Sequence, residues 1–488
     1  MAVGANLERR AGLNAAFAVF AATFALSAIL YSRGLGADSL GASEAYSAMA
    51  AAKPNVASIV QIPVNDDPGK QILYYTLLHF WSLGFGTSEG ALRSLSLLFA
   101  LAGLVLVFAL GREMFDDGTA ATAAAIWAFN PIAMVFSHRA RMYSMFVAIA
   151  LGHLFALWRT RARPTAARAG TCGVLGATLL YTHMGGMIIV GTEIGLLVRD
   201  WLRGRRNPIA WLAIAIAFAL FLPWLPIARS QSHALVTGHW LDWIGPAQDY
   251  SLAARGLVAA GAGAIALGLL FDRPREQNAE EPLRWCAVWS LLPLIAFAAG
   301  SIVIRPMFHI RYVAPAAAVL AIGAAGLLGR IDVRLRNLAA AAMTAALIIL
   351  YPFDRPIAQP WKEISAMVAG GGASEPVFFE SGYVSSGAAA RTANPGFPFG
   401  YYSIPFNYYF HGQNPRIVVP GFDPSAARDA IESGVARAGG GWLISWKGEN
   451  EVGGELPRHE QFRWTIALRG QRLIVYRLLP IGKAGGIS

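Results

Sequence analysis

The sequence predicts a polytopic α-helical membrane protein of about 11 spans, followed by a small C-terminal α/β domain on the outer, periplasmic side. Three observations predict it. The 488 residues are 55% hydrophobic and 14% charged, with a mean hydropathy of +0.45, more apolar surface than a soluble core of this size would carry. Uncharged stretches near the roughly 20 residues that cross a bilayer recur through the first three quarters of the chain. The net charge of +11 comes largely from arginines in the short connections between those stretches. Placed there, they are the signal of cytoplasmic loops and not a nucleic-acid footprint.

Taken in order, Arg9 and Arg10 precede a first span, Leu13–Tyr31, that has no convincing small-residue cleavage site. It is read as retained, with the N-terminus cytoplasmic. Residues 32–89 form an outer loop, and Ser94–Leu110 returns to the inside. Gly118–Phe136 delivers FSHRARMYSM (136–145) to the outer face, and Met142–Trp158 ends in the basic loop of Arg159, Arg161, Arg163 and Arg168. A second basic loop, Arg199, Arg203, Arg205 and Arg206, is also inside by its charge. The apolar stretch Cys172–Val198 between them is therefore long for one span and short for two. A pair of short helices meeting at Gly185 and Gly186 fits, with YTHMGG at the outer face.

Pro208–Ala228, Gly256–Phe271, Trp285–Ile304, Val313–Gly329 and Leu338–Tyr351 complete the crossings. The last leaves the rest of the chain outside, so residues 1–352 make the transmembrane domain and 353–488 the outer one. In the latter, WKEISAMVAG and DPSAARDAIESGVARAG read as helices, the second capped by Asp423. PVFFE, RIVVP, GWLISW, RWTIAL and LIVYRLL read as strands. The cysteines, Cys172 and Cys286, lie in apolar stretches and suggest neither a disulfide framework nor a thiolate metal site.

This topology gathers the unusual polar residues on one side: Glu44, Asp66, Asp67, Lys70, His138, Arg139, Arg141, His183, His239, Asp242, His309 and Arg311. Ionisable groups at a membrane boundary are costly unless paired, hydrated or used, so a converging set implies a polar cavity facing outward. His239 and Asp242, beside Trp240 and Trp243, read as part of an interfacial aromatic belt. The aromatic run PGFPFGYYSIPFNYYF (395–410) reads as core packing and loop ordering, with docking against the membrane face, covering the cavity or stacking against an acceptor glycan as its functional alternatives.

Several stretches, in this order, resemble the C-type membrane glycosyltransferases, in particular the glycosyltransferase family 39 relatives that include protein O-mannosyltransferases and lipid A aminoarabinose transferases. They are DSLGASEAYSA, GKQILYYTLLHFW with SEGALRSLS, SHRARMYSM, YTHMGG, FLPWLP and FHIRYVAPA, within roughly Leu13–Gly329. The resemblance implies transfer of a hexose or pentose from a polyprenyl-phosphate-linked donor to a lipid, glycan or protein acceptor at the outer face of a bacterial inner membrane. Cations at span ends suit such a donor, whose anionic head sits at the interface. An acceptor hydroxyl needs a carboxylate to take its proton.

The expected catalytic carboxylates are Glu44, as the preferred base, with Asp66 and Asp67. Lys70, Tyr74, His138, Arg139, Arg141, Tyr143, His183, Arg311 and Tyr312 are expected to bind the donor phosphate or substrate. The chain departs from the family pattern in three places. Ser43-Glu44 stands where relatives show Asp-Glu, His138-Arg139 where they show Gln-Glu, and Lys70-Gln71-Ile72 where they show His-Pro-Pro or Lys-Pro-Pro. A non-catalytic member that binds lipid-linked sugar, and a transporter or flippase, are the rival readings. No nucleotide cofactor is expected in the absence of a Walker or Rossmann glycine pattern, and no metal-ligand spacing stands out, although a divalent ion is left open. Membrane lipids are the remaining expected partners, and nucleic acid is not one.

Overall fold

The structure is a computed structural model that describes residues 2–63, 70–237, 277–303, 310–330, 359–380, 403–419, 423–445, 452–454, 456–470 and 473–481. Asp66, Asp67, His239, Asp242, His309 and the predicted spans Gly256–Phe271 and Leu338–Tyr351 lie outside them.

The first part is helical: α1 (Ala2–Ser32), α2 (Ala42–Ala51), α3 (Val56–Ile59), α4 (Ile72–Phe85), α5 (Glu89–Met114), α6 (Asp117–Ala128), α7 (Pro131–Ser137), α8 (Tyr143–Ala162), α9 (Ala166–Thr182), α10 (Gly185–Leu202), α11 (Pro208–Phe221), α12 (Leu225–Thr237), α13 (Gln277–Val303) and α14 (Ile310–Leu328). Among the described residues five helices are long and apolar enough to cross a membrane, or six if the bent pair α6 and α7 is one span. Their outer faces stay apolar: Ile29 on α1, Leu98 on α5 and Ile295 on α13 are exposed, the pattern of helices solvated by lipid.

Small residues set how closely the helices approach. A Cβ on Gly173 of α9 would lie 2.6 Å from Ile216 and 2.8 Å from the Ala213 carbonyl of α11, so the two cross nearly backbone to backbone. The double-glycine break expected after Cys172 occurs at His183 and Met184, between α9 and α10. Glycine permits the close return that follows it: a Cβ on Gly186 would sit 2.9 Å from the Leu179 carbonyl.

One expected element is corrected. The single span Gly118–Phe136 is broken into α6 and α7 with a 61° bend. Asn130 accepts from the Ile132 N–H and Pro131 occupies the first helical turn, a stop and restart that hydropathy alone does not reveal. The outer loop 32–89 contains three helices, α2, α3 and α4, the last with Phe80, Leu83 and Phe85 exposed.

The two ends of the bundle differ in chemistry. At one, Arg161 of α8 bonds Asp200 of α10 at 2.6 Å and lies 4.2 Å from the Trp285 ring of α13, with Arg199 also on Asp200. This is the arginine-rich end. The other end carries the site.

The C-terminal part contains α15 (Trp361–Ala369), β1 (Val377–Glu380), α16 (Ser403–Tyr409), β2 (Arg416–Val419), α17 (Pro424–Ala438), β3 (Gly441–Ser445), β4 (Phe462–Gly470) and β5 (Leu473–Pro480). The strands form one five-stranded sheet in the order β2-β1-β3-β5-β4, parallel across β2, β1 and β3 and antiparallel across β3, β5 and β4. Trp361, Ile364 and Val368 of α15 pack with Phe406 against one face, and Ala427, Ile431 and Val435 of α17 against the other. That double cover is why β1 and β3 are buried at every residue instead of alternating. Asp423 caps α17 through the Ala426 N–H, as expected.

Candidate active site

The site begins with an arginine. Ser88 caps α5 by accepting from the Ala91 N–H, and the first turn then presents Arg93, buried, to the loop before α2. Its Nε and Nη2 donate to the two Glu44 oxygens at 2.9 and 3.0 Å. Its other N–H groups reach the carbonyls of Leu35, Asp38 and Ser39 at 2.8 to 3.0 Å. All five guanidinium donors are thereby used. Sequence reasoning included Arg93 in SEGALRSLS without giving it a role; the available signal was a lone arginine inside an apolar helix, where idle charge is costly.

Glu44, at the third position of α2, also accepts from the Gly41 N–H at 3.0 Å, closing a capping box, and from the Ala140 N–H at 2.8 Å. Four donors fill the four lone-pair positions of the carboxylate. Burial pushes its pKa up, but Arg93, Arg139 and the Ala140 amide outweigh that and hold it below the ordinary value. Glu44 is thus a clamp between the first outer loop, α5 and the turn before α8. Every lone pair of the carboxylate is engaged in this arrangement, whereas the expected use of Glu44 as proton acceptor needs one directed at the incoming hydroxyl.

Around the clamp the other candidates assemble. Arg141 is fully buried and donates from Nη1 to the Ser43 carbonyl at 2.8 Å and the Tyr75 hydroxyl at 3.1 Å. Its carbonyl accepts from Ser96 Oγ, which is 2.9 Å from the Tyr74 hydroxyl. Two residues on, the Tyr143 hydroxyl meets Arg311 Nη1 at 3.5 Å, and its ring is 6.2 Å from His183. The His183 ring stacks on Phe146 at 4.7 Å and lies 5.2 Å from Tyr312. Gly185 permits this, because a Cβ there would come within 3.1 Å of the imidazole and 3.3 Å of the Tyr312 carbonyl.

Lys70 completes the group by pairing with His183 in an isolated antiparallel bridge, and both residues are buried. Gln231 of α12 anchors this strip, donating to the carbonyls of Pro63 at 2.8 Å and Lys70 at 3.0 Å. Trp224, from FLPWLP, donates to Gln71 Oε1. Gln231 is a second residue that sequence reasoning missed, and it carried no signal, since a glutamine at the end of an apolar run reads as an ordinary boundary.

Nine of the expected site residues therefore share one end of the bundle: Glu44, Lys70, Tyr74, Arg139, Arg141, Tyr143, His183, Arg311 and Tyr312. His138 points away from them. Its Nδ1 lies 2.9 Å from the Met134 carbonyl and its Nε2 3.2 Å from the Arg33 carbonyl, a splice between the end of α7 and the first loop. Among the described residues no group of three or more His, Cys, Asp or Glu is placed to hold a metal.

The C-terminal part attaches at this same end. Tyr409 donates to Glu89 Oε1 at 2.9 Å and accepts from the Leu40 N–H at 2.7 Å, Lys362 Nζ reaches Glu89 at 2.8 Å, and Gln359 accepts from the Ala42 N–H at 3.2 Å.

Residues 71–227 match the family model described as dolichyl-phosphate-mannose-protein mannosyltransferase. A search of the curated proteins finds no significant match. Among solved structures, apo ArnT from Cupriavidus metallidurans is similar at a TM-score of 0.60 and 14% identity, over 95% of this chain and 98% of that one. The same protein bound to undecaprenyl phosphate gives 0.59 and 14%, over 94% and 97%. The Archaeoglobus fulgidus oligosaccharyltransferase tethered to an acceptor peptide gives 0.56 and 12%, over 87% and 69%. The chain accordingly has the fold of the C-type membrane glycosyltransferases and, over residues 71–227, is similar to the dolichyl-phosphate-mannose-protein mannosyltransferase family.

Proposed function

We propose that this protein transfers a sugar from a polyprenyl-phosphate-linked donor to an acceptor hydroxyl or phosphate at the outer face of a bacterial inner membrane. The carrying observation is the convergence of Lys70, Arg141 and Arg311 with Tyr143 and His183 at one end of an apolar helical bundle. An isoprenoid phosphate keeps its tail in lipid and its charge at the interface, and fixed cations at that depth match it. The acceptor oxygen bonds to the anomeric carbon as the carbon–oxygen bond to phosphate breaks, with inversion, and the departing polyprenyl phosphate is stabilised by the same cations.

The acceptor's proton goes to Asp66 or Asp67, since Glu44 is fully used in its clamp. Both ends of the segment that carries them, Pro63 and Lys70, are held at the site by Gln231. Glu44 acts as a positioning residue. The arginine-rich end of the bundle supports a cytoplasmic placement for that side, hence about 11 crossings and a periplasmic unit made of residues 353–488. The ArnT structure with bound undecaprenyl phosphate supports the donor class.

The test is binding and turnover by the full chain in detergent or nanodiscs. Lys70→Ala and Arg311→Ala are expected to weaken undecaprenyl phosphate binding by about tenfold each, the cost of one charge-assisted contact. Unchanged binding in both would reject the reading. The saturated Glu44 favours one rival, a member that binds the lipid-linked sugar without transferring it; an unchanged lipid and glycan mass profile in a deletion strain would select it.

A further inference from the structure

The C-terminal unit carries a cleft of about 520 Å³ between α15 and residues 409–414, within the range of about 300–1,000 Å³ usual for small-molecule sites. It exists because α15 is two-faced. Trp361, Ile364 and Val368 go into the sheet, while Ala366 and Ala369 on the other face are too small to fill the space against Phe410 and Gly412. Ser365 lines the cleft, is 6% exposed, and its hydroxyl has no hydrogen-bond partner among the described residues. A helical serine ordinarily satisfies its hydroxyl on the carbonyl four residues back, so a buried one that does not is a donor held for something else.

The rest of the lining defines the ligand's chemistry. Gln413 supplies an amide and Tyr409 an aromatic side chain, with alanine and glycine between them, while the Asn414 amide nitrogen donates to the Gly372 and Glu375 carbonyls at 2.9 Å. No carboxylate lines the cleft, which argues against a cation. Its single ammonium, Lys362, is already bonded to Glu89 at 2.8 Å, which argues against phosphate. Hydroxyl and amide groups beside an aromatic ring, without net charge, suit a neutral polyhydroxylated ring. Position agrees with this. Lys362 and Tyr409 both bond Glu89, one helical turn before Arg93, and Tyr409 also accepts from Leu40 in the loop that Arg93 holds. A ligand in the cleft therefore touches residues one hydrogen bond away from the loop of the candidate active site.

We propose that this cleft binds a saccharide unit of the acceptor and so selects a glycan-bearing acceptor, an inference that rests on the transferase reading given above. The test uses the full chain in cells, with the photo-crosslinking amino acid p-benzoylphenylalanine at Ala369, an exposed cleft position. The adduct should release hexose or pentose on acid hydrolysis. Ala366→Trp, which fills the cleft from an exposed position, should lower adduct yield at least tenfold; Ser365→Ala, which removes only the hydroxyl, should lower it severalfold. Both variants, purified whole, should bind undecaprenyl phosphate as the parent chain does. A saccharide-free adduct, no adduct, or a yield insensitive to both substitutions overturns the cleft assignment. Loss of undecaprenyl phosphate binding in the unsubstituted chain overturns the transferase reading instead.

Discussion

Arg93 and Glu44 show how a carboxylate singled out in sequence is held by structure. With five donors and four acceptors matched inside a buried pocket, removing either partner leaves the other charged and unpaired, at a cost of about 3–5 kcal/mol. Arg93→Ala and Glu44→Gln are therefore both expected to lower the melting temperature strongly in detergent. Asp66→Asn or Asp67→Asn should leave melting unchanged and lower kcat by about 10² to 10⁴-fold, the usual worth of a general base. A Glu44→Gln protein with parental stability and no turnover would restore Glu44 as the base. The pH dependence has a definite sign. Because the folded Glu44 pKa is lowered, its stabilisation is fully present above the ordinary value of 4.5 and is lost as pH falls through the depressed one. Melting curves between pH 7 and 3 should show this acid loss in the parent and a reduced loss in Glu44→Gln.

At the scale of elements, glycine placement decides how the helices holding His183 meet. Gly186→Ala pushes a methyl against the backbone of α9, which cannot yield as a flexible side chain would, and should cost about 1–3 kcal/mol. Gly191, on the same helix with nothing near its Cβ position, is the matched control. Gly191→Ala should be neutral or slightly stabilising, and thermal melting of the two variants checks the contrast. Midway along these helices, His153 of α8 and Glu193 of α10 meet at 2.7 Å, both buried, while His153 Nδ1 lies 3.0 Å from the Cys172 carbonyl of α9. The pair ties three helices together below the candidate site. The interruption of an apolar stretch by Glu193 was visible in sequence; its partner, 40 residues earlier in the chain, was not.

At the scale of the molecule, the proposed orientation puts the site end and the arginine-rich end in opposite compartments. Cysteine placed at Ser88, beside the candidate site, should react with a membrane-impermeant maleimide in intact cells, while cysteine at Thr165 should react only after permeabilisation. Both positions are exposed, and the native Cys172 and Cys286 are buried, so background labelling is low. The reverse pattern would invert the proposed orientation and exclude transfer at the outer face.

Sequence by itself determined the apolar helical class and the order of the motifs, because lipid solvation and helix periodicity are local constraints that composition records. It also marked the five strands and, among the three described helices of the C-terminal unit, α15 and α17, whose apolar runs and caps are local too, but not α16. Only the tertiary structure decided which charges pair. Glu44 finds Arg93 and the Ala140 amide, and Glu89 finds Lys362 and, across 320 residues, Tyr409. Desolvation makes those choices: a charge carried into a buried site must meet its complement there, and a linear pattern carries no record of which distant group supplies it.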